Sequence, residues 1–162
     1  MADDHICHTN GDFSHALATS ADLPRRIRGL WHRHFSVLFG PLSVRRWALS
    51  STFCDRLILR HFEAQRYYHT LVHIYEVIKC LDLDSSSLEQ KSNIFDKAVL
   101  FFSAIFHDAI YDPKSSTNES DSAALFRSLC ELCPDSDLTR TAQRLRVVTI
   151  ILATAKVRYC VW

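Results

Sequence analysis

Glycine and proline are scarce in this chain, with 3 and 4 copies in 162 residues. An all-β domain needs a turn every ten residues or so, and the residues that make such turns are missing, so helices are the expected element. A surplus of charge is missing too. The 19 Lys and Arg nearly cancel the 18 Asp and Glu, leaving a formal charge of +1. No uniform field exists to attract nucleic acid or an anionic membrane, and neither is expected as a partner.

Long apolar runs are also absent. The longest, Ala98 to Phe106, is interrupted by Ser103 and falls far short of the roughly 20 residues that cross a bilayer. The first residues, Met1-Ala2-Asp3-Asp4, show neither the basic start nor the apolar stretch of a secretory leader. The six cysteines, Cys7, Cys54, Cys80, Cys130, Cys133 and Cys160, are scattered. Reduced thiols in a cytoplasmic protein are therefore expected.

What is present is apolar mass: 48% of the chain is hydrophobic and 11% aromatic, enough to bury one sizeable core in a single domain. The expected fold class is all-α. Residues 1–22 mix Asp, His, Thr, Asn, Gly and Ser without a sustained period and predict a flexible arm. From Leu23-Pro24 to Leu38 the spacing of Ile27, Leu30, Trp31, His34 and Phe35 predicts a first helix, ended by Gly40-Pro41. A second runs from Ser43 to about Glu63, with Val44, Trp47, Leu49, Phe53, Leu57, Ile58 and Phe62 in helical register. Thr70 can cap a third that reaches Leu81, and Asp84 to Ser87 reads as a loop.

Residues 93–107 are apolar nearly all round and predict a helix buried on most faces. Further helices are expected from Glu119 to Cys133 and from Asp137 to Lys156. The β-branched cluster Val147-Val148-Thr149-Ile150-Ile151 leaves a strand open in the last of these. The helical domain thus spans residues 23–156, followed by a tail at 157–162.

Chemistry concentrates in two motifs about one helix apart. The first is Tyr68-His69-Thr70-Leu71-Val72-His73, and the second, after the apolar run, is Phe106-His107-Asp108. If the first segment is helical, the i, i+4 spacing of His69 and His73 puts both rings on one face. A pair of histidines in a chain with 9 is commonly just packing. A carboxylate at the end of an apolar helix is costlier to leave alone, and imidazoles with a carboxylate make a ligand set for a divalent metal. Two bonds of roughly 2 Å each cannot bridge His73 and Asp108 if the two lie more than about 8 Å apart.

Other clusters have plainer explanations. Cys130-Glu131-Leu132-Cys133 has the gap of a zinc half-site or redox pair, but no second pair follows and no βαβ pattern precedes it, so a structural role is expected. His5, Cys7 and His8 could add soft ligands from the arm. Arg25, Arg26, Arg28 and Arg33, with His32, His34, Arg45 and Arg46, form a basic stretch that a solvated helix face explains. No glycine-rich phosphate loop, Gly-x-Ser-x-Gly elbow or His-Glu-x-x-His motif occurs.

Three segments in order, Arg66 to Ile74, Ala104 to Pro113 and Asn118 to Ala123, together resemble the HD-domain superfamily of metal-dependent phosphohydrolases. More narrowly, they resemble a subgroup of predicted members with uncertain substrate. The first motif is also similar to the Tyr-His-Asn-x-x-His of cyclic-nucleotide phosphodiesterases. The resemblance covers about Ser43 to Ala155 and implies an all-helical, HD-domain-like bundle. Carried over residue by residue, it implies His73, His107 and Asp108 as metal ligands, and His69 as general acid or phosphate contact. His69 and Asp108 are thereby the candidate catalytic residues, and Asp112, Asn118 and Glu119 have supporting or loop-ordering roles. The implied cofactor is a divalent ion such as Mn, Fe, Mg or Zn. The implied partner is a small phosphorylated molecule, and the implied reaction is hydrolysis of a phosphoester or nucleotide-type substrate.

The pattern departs in one place. The superfamily's distal Asp and the subgroup's later His are not found after Leu152-Ala153-Thr154-Ala155-Lys156. The chain then reads Val157-Arg158-Tyr159-Cys160-Val161-Trp162. The bundle is accordingly expected to be incomplete at its C-terminus, with weakened metal binding, little or no turnover and an uncovered apolar face open to self-association. The alternative function is a helical interaction module, derived from an HD domain, that carries no chemistry.

Overall fold

The computed structural model describes residues 13–41, 43–83 and 93–157. They form six helices and no strand: α1 (Phe13–Phe39), α2 (Val44–Arg60), α3 (Leu71–Cys80), α4 (Ile94–Phe106), α5 (Asn118–Leu132) and α6 (Leu138–Val157). None of them is long and apolar enough to cross a membrane. The expected serine loop from Asp84, the ligands His5, Cys7 and His8, and the tail beyond Val157 lie outside the described residues.

The all-α expectation is met, with differences at the ends of elements. Helix α1 begins at Phe13 rather than at Leu23, and Pro24 sits inside it. Helix α1 thus takes in residues 13–22 of the expected arm, and residues 1–12 lie outside the described residues. Ala16, Leu17, Ala18 and Ala21 are good helix formers, and a helix once nucleated extends at little cost. The β-branched cluster of the last segment is helical, because Val147, Val148 and Ile151 bury their side chains where α6 packs on α4 and α5, and packing overrides propensity.

Helix α4 is the axis of the bundle, packed against α1, α3, α5 and α6. Ala98, Val99 and every residue from Phe101 to Phe106 are buried. Around it Trp31, Phe35, Phe39, Phe102, Phe106 and Phe126 form a continuous aromatic cluster. Its ring centroids lie 4.4 Å apart for Phe35 and Phe39, and 5.0 Å apart for Trp31 and Phe102. The buried Trp31 indole keeps its polar edge satisfied by donating to Ser50 Oγ at 2.7 Å, as a buried N–H requires.

Helix α2 packs chiefly on α1, and its periodic apolar residues are not all core. Val44 and Trp47 are exposed, as are Phe62, which lies beyond the end of α2, and Leu138 and Leu145 on α6. Helical register shows which residues share a face, and a face is buried only where a neighbour covers it.

Candidate metal centre

The C-terminal end of α4 and the N-terminal end of α3 meet, and their packing brings the two motifs together. His107 is the C-cap of α4 and Asp108 follows it. His73 is the third residue of α3. One ligand atom from each of His73, His107 and Asp108 lies within 4.8 Å of the others, well inside the 8 Å bound. Ligand bonds of about 2.1 Å span atoms up to about 4.2 Å apart, so small side-chain rotations bring all three onto one ion.

His69 joins them from outside the helix. It lies two residues before α3 begins, in a tight turn closed by Thr70 N–H donating to the Tyr68 carbonyl at 2.7 Å. Thr70 occupies the N-cap position, but its side chain makes no cap bond. His69 and His73 nonetheless converge, with ring centroids 5.7 Å apart. His69 Nε2 lies 3.6 Å from Asp108 Oδ2.

Protonation at the centre follows from neighbouring atoms. His107 Nδ1 lies 2.8 Å from the Ala104 carbonyl, which can only accept, so Nδ1 carries the proton. In the neutral ring Nε2 then presents a lone pair to Asp108 Oδ2 at 2.8 Å. Two electron pairs at that distance require something positive between them, either a shared proton or a metal cation. Burial, aided by the nearby His107, lowers the His73 pKa and keeps its ring neutral and able to ligate. The negative end of the α4 dipole also favours a cation here.

The surroundings hold the motifs rigidly. Asp108 is 3% exposed. Beneath it lies Arg66, whose side chain is fully buried. The Arg66 guanidinium donates to the Asp108 carbonyl at 2.6 Å, the Ala109 carbonyl at 3.1 Å and the His69 carbonyl at 3.3 Å, and its Nε pairs with Glu63 at 3.3 Å. One side chain thus staples both motifs. His61 lies between the carbonyls of His69 and Ile105, at 3.4 Å from each. Burial, then the Arg66 charge, pushes its pKa down to about 4.

The loop after Asp108 is tied to α5. Asn118 accepts from Asp112 N–H at 2.9 Å and donates to the Asp112 carbonyl at 2.8 Å, while Ser122 accepts from Ile110 N–H at 3.0 Å. Asp112 itself is exposed and accepts from Lys114 N–H at 2.9 Å. Glu119 is buried in the first turn of α5. None of Asp112, Asn118 and Glu119 belongs to the cluster that could hold a metal. Two tyrosines flank the histidines. Tyr68, 68% exposed, lies 4.6 Å from His73, and Tyr111 lies 4.7 Å from His69.

Arg66 and His61 carry no signal that periodicity could reveal. Arg66 belongs to the segment with the family resemblance, yet nothing in its spacing shows that main-chain carbonyls surround it. The Cys130 and Cys133 thiols are free, and burial pushes Cys130 up to about 11 and raises Cys133 as well. Neither is a reactive thiolate.

No family model matches the chain, and no curated protein or solved structure matches it.

Proposed function

We propose that this chain carries the metal centre of an HD-type phosphohydrolase acting on a phosphoester or nucleotide-type substrate, with slow turnover because the distal Asp of that pattern is not found. The observation that carries the reading is the convergence of His73, His107 and Asp108 within 4.8 Å, with His69 Nε2 3.6 Å from Asp108 Oδ2. The donor set, two imidazoles and a carboxylate, suits Mn, Fe, Zn or a similar divalent ion. His73, His107 and Asp108 would hold it. Such an ion supplies Lewis-acid charge to a phosphoryl oxygen and acidifies water.

The chain's own residues do the rest. His107 is oriented by the Ala104 carbonyl, so its Nε2 is fixed toward the cluster. Arg66 fixes the main chain of both motifs and therefore their separation. His69 is the candidate to hand a proton to the departing oxygen, since its Nε2 lies 3.6 Å from Asp108 Oδ2, beside the cluster. Tyr68 and Tyr111 pack against His73 and His69.

A screen of phosphomonoesters, phosphodiesters and nucleotides with Mn or Mg tests the reading. Hydrolysis abolished by His107→Ala, in a variant whose circular dichroism is unchanged, is the expected result. Absence of turnover on every class, in a chain that binds the ion, would overturn the enzymatic part.

A further inference from the structure

We infer that the groove between α2 and α5 is a docking site for an acidic amphipathic helix of a partner protein. Two adjoining cavities of about 420 and 440 Å³ share Phe53 and Arg56 and run along the outer face of α2. Their apolar lining comes from Leu49, Phe53, Leu125 and Leu132. Leu132 is 55% exposed, and Leu59, also in the lining, is 67% exposed. Exposed apolar residues that adjoin in a groove mark an interaction site more often than isolated ones do.

Charge decides the kind of partner. Arg45, Arg56 and Arg60 line the same two cavities, and with Leu49 and Phe53 they fall on one stripe of α2 at helical spacing. Elsewhere Arg25, Arg28, Arg140 and Arg146 each hold a carboxylate. Among the described residues neither Arg45 nor Arg56 has one within ion-pair distance. Glu63 is the acid in the lining, and it is engaged by Arg66 at 3.3 Å and by Arg60 at 3.9 Å, which leaves Arg45 and Arg56 to face a partner's carboxylates. An apolar floor with cations towards both ends complements a helix with an apolar stripe and glutamates flanking it. Helix α2 has 17 residues, about 25 Å at 1.5 Å each, enough to seat four turns.

The test is fluorescence anisotropy of the full chain with a labelled 16-residue helical peptide, leucines along one stripe and glutamates beside it. Its control is the same peptide with lysines in place of the glutamates. The glutamate peptide is expected to bind saturably and more weakly as salt rises, and the lysine peptide not to bind. Arg56→Glu should weaken binding about tenfold or more, and Leu132→Glu, at a separate exposed position, should do the same. Equal binding of both peptides, no binding of either, or binding indifferent to both substitutions would overturn the inference. A dimer of the chain dispersed by Leu132→Glu in size-exclusion chromatography would assign the groove to a second copy and overturn it as well.

Discussion

At the C-terminal end of α1, arginines meet oxygens. Arg144 donates to the Leu38 carbonyl at 2.9 Å and lies over the Phe39 ring, Arg46 donates to the Phe39 carbonyl at 2.8 Å, and Asp135 pairs with Arg140 at 2.6 Å. At the C-terminal end of α4, two imidazoles and a carboxylate gather instead. Both ends present carbonyls and a negative dipole. The first is completed by cations from the chain itself. The second collects electron pairs around a common point, and Arg66 beneath it gives its donors to three main-chain carbonyls and to Glu63. A structural corner and a candidate metal centre are therefore distinguished by where the positive charge comes from, not by how polar or how buried they are.

The largest way to test this difference is to remove each arginine. Arg66→Ala strips donors from three carbonyls and should cost about 3–5 kcal/mol in urea unfolding. Arg144→Ala loses one carbonyl bond, its attraction to Asp135 and its contact with Phe39, and should cost about 2–4 kcal/mol. Only the Arg66 variant should also weaken metal binding. If Arg144→Ala weakened it equally, the two corners would not be independent.

Metal sharpens the contrast. Manganese at a hundredfold excess over its dissociation constant should raise stability by about 2.7 kcal/mol. That gain should vanish in Asp108→Ala and persist in Asp135→Asn. Thermal unfolding with and without the ion measures it.

Acid separates the two corners by pH. His61, under the centre, and His34, buried against Phe101, are both held down to about 4 by burial. The unfolded chain, with histidine near 6.5, binds more protons, so this contribution is complete above pH 6.5. It declines as pH falls toward 4, by up to about 1.4 kcal/mol per pH unit for each group. Asp135 is held at about 2, chiefly by its bond from Arg140. Its contribution is present above 3.8 and is lost only below that. Urea midpoints at pH 7, 5.5 and 4.5 should therefore fall in wild type, and fall less in His61→Gln. A midpoint flat across that range would remove the buried histidines from the account.

The smallest effect concerns thiols. Cys80 is exposed, whereas Cys54 and Cys133 are buried and burial pushes Cys54 up to about 12. Among the cysteines of the described residues, iodoacetamide at pH 7.5 should modify Cys80 first, with Cys54, Cys130 and Cys133 modified only on unfolding.

Much of the architecture was legible before any coordinates. The unbroken apolar character of residues 93–107 marks α4 as the core helix, and both motifs are plain from His69, His73, His107 and Asp108. The i, i+4 spacing puts His69 and His73 on one face only if both are helical; His69 instead precedes the Thr70 cap of α3, and a turn brings its ring within 5.7 Å of His73. Arg66 was illegible because its partners are main-chain carbonyls, which every sequence has. Val44, Trp47, Phe62, Leu138 and Leu145 were illegible in another sense: register assigns them to faces, and only tertiary packing decides which faces are covered.

Isothermal titration of the metal-stripped chain with manganese tests the central claim most directly. One saturable site in wild type, retained in Asp135→Asn and lost in both Asp108→Ala and His107→Ala, is the predicted result. No binding in the folded wild-type chain, or binding that survives both substitutions, would contradict it.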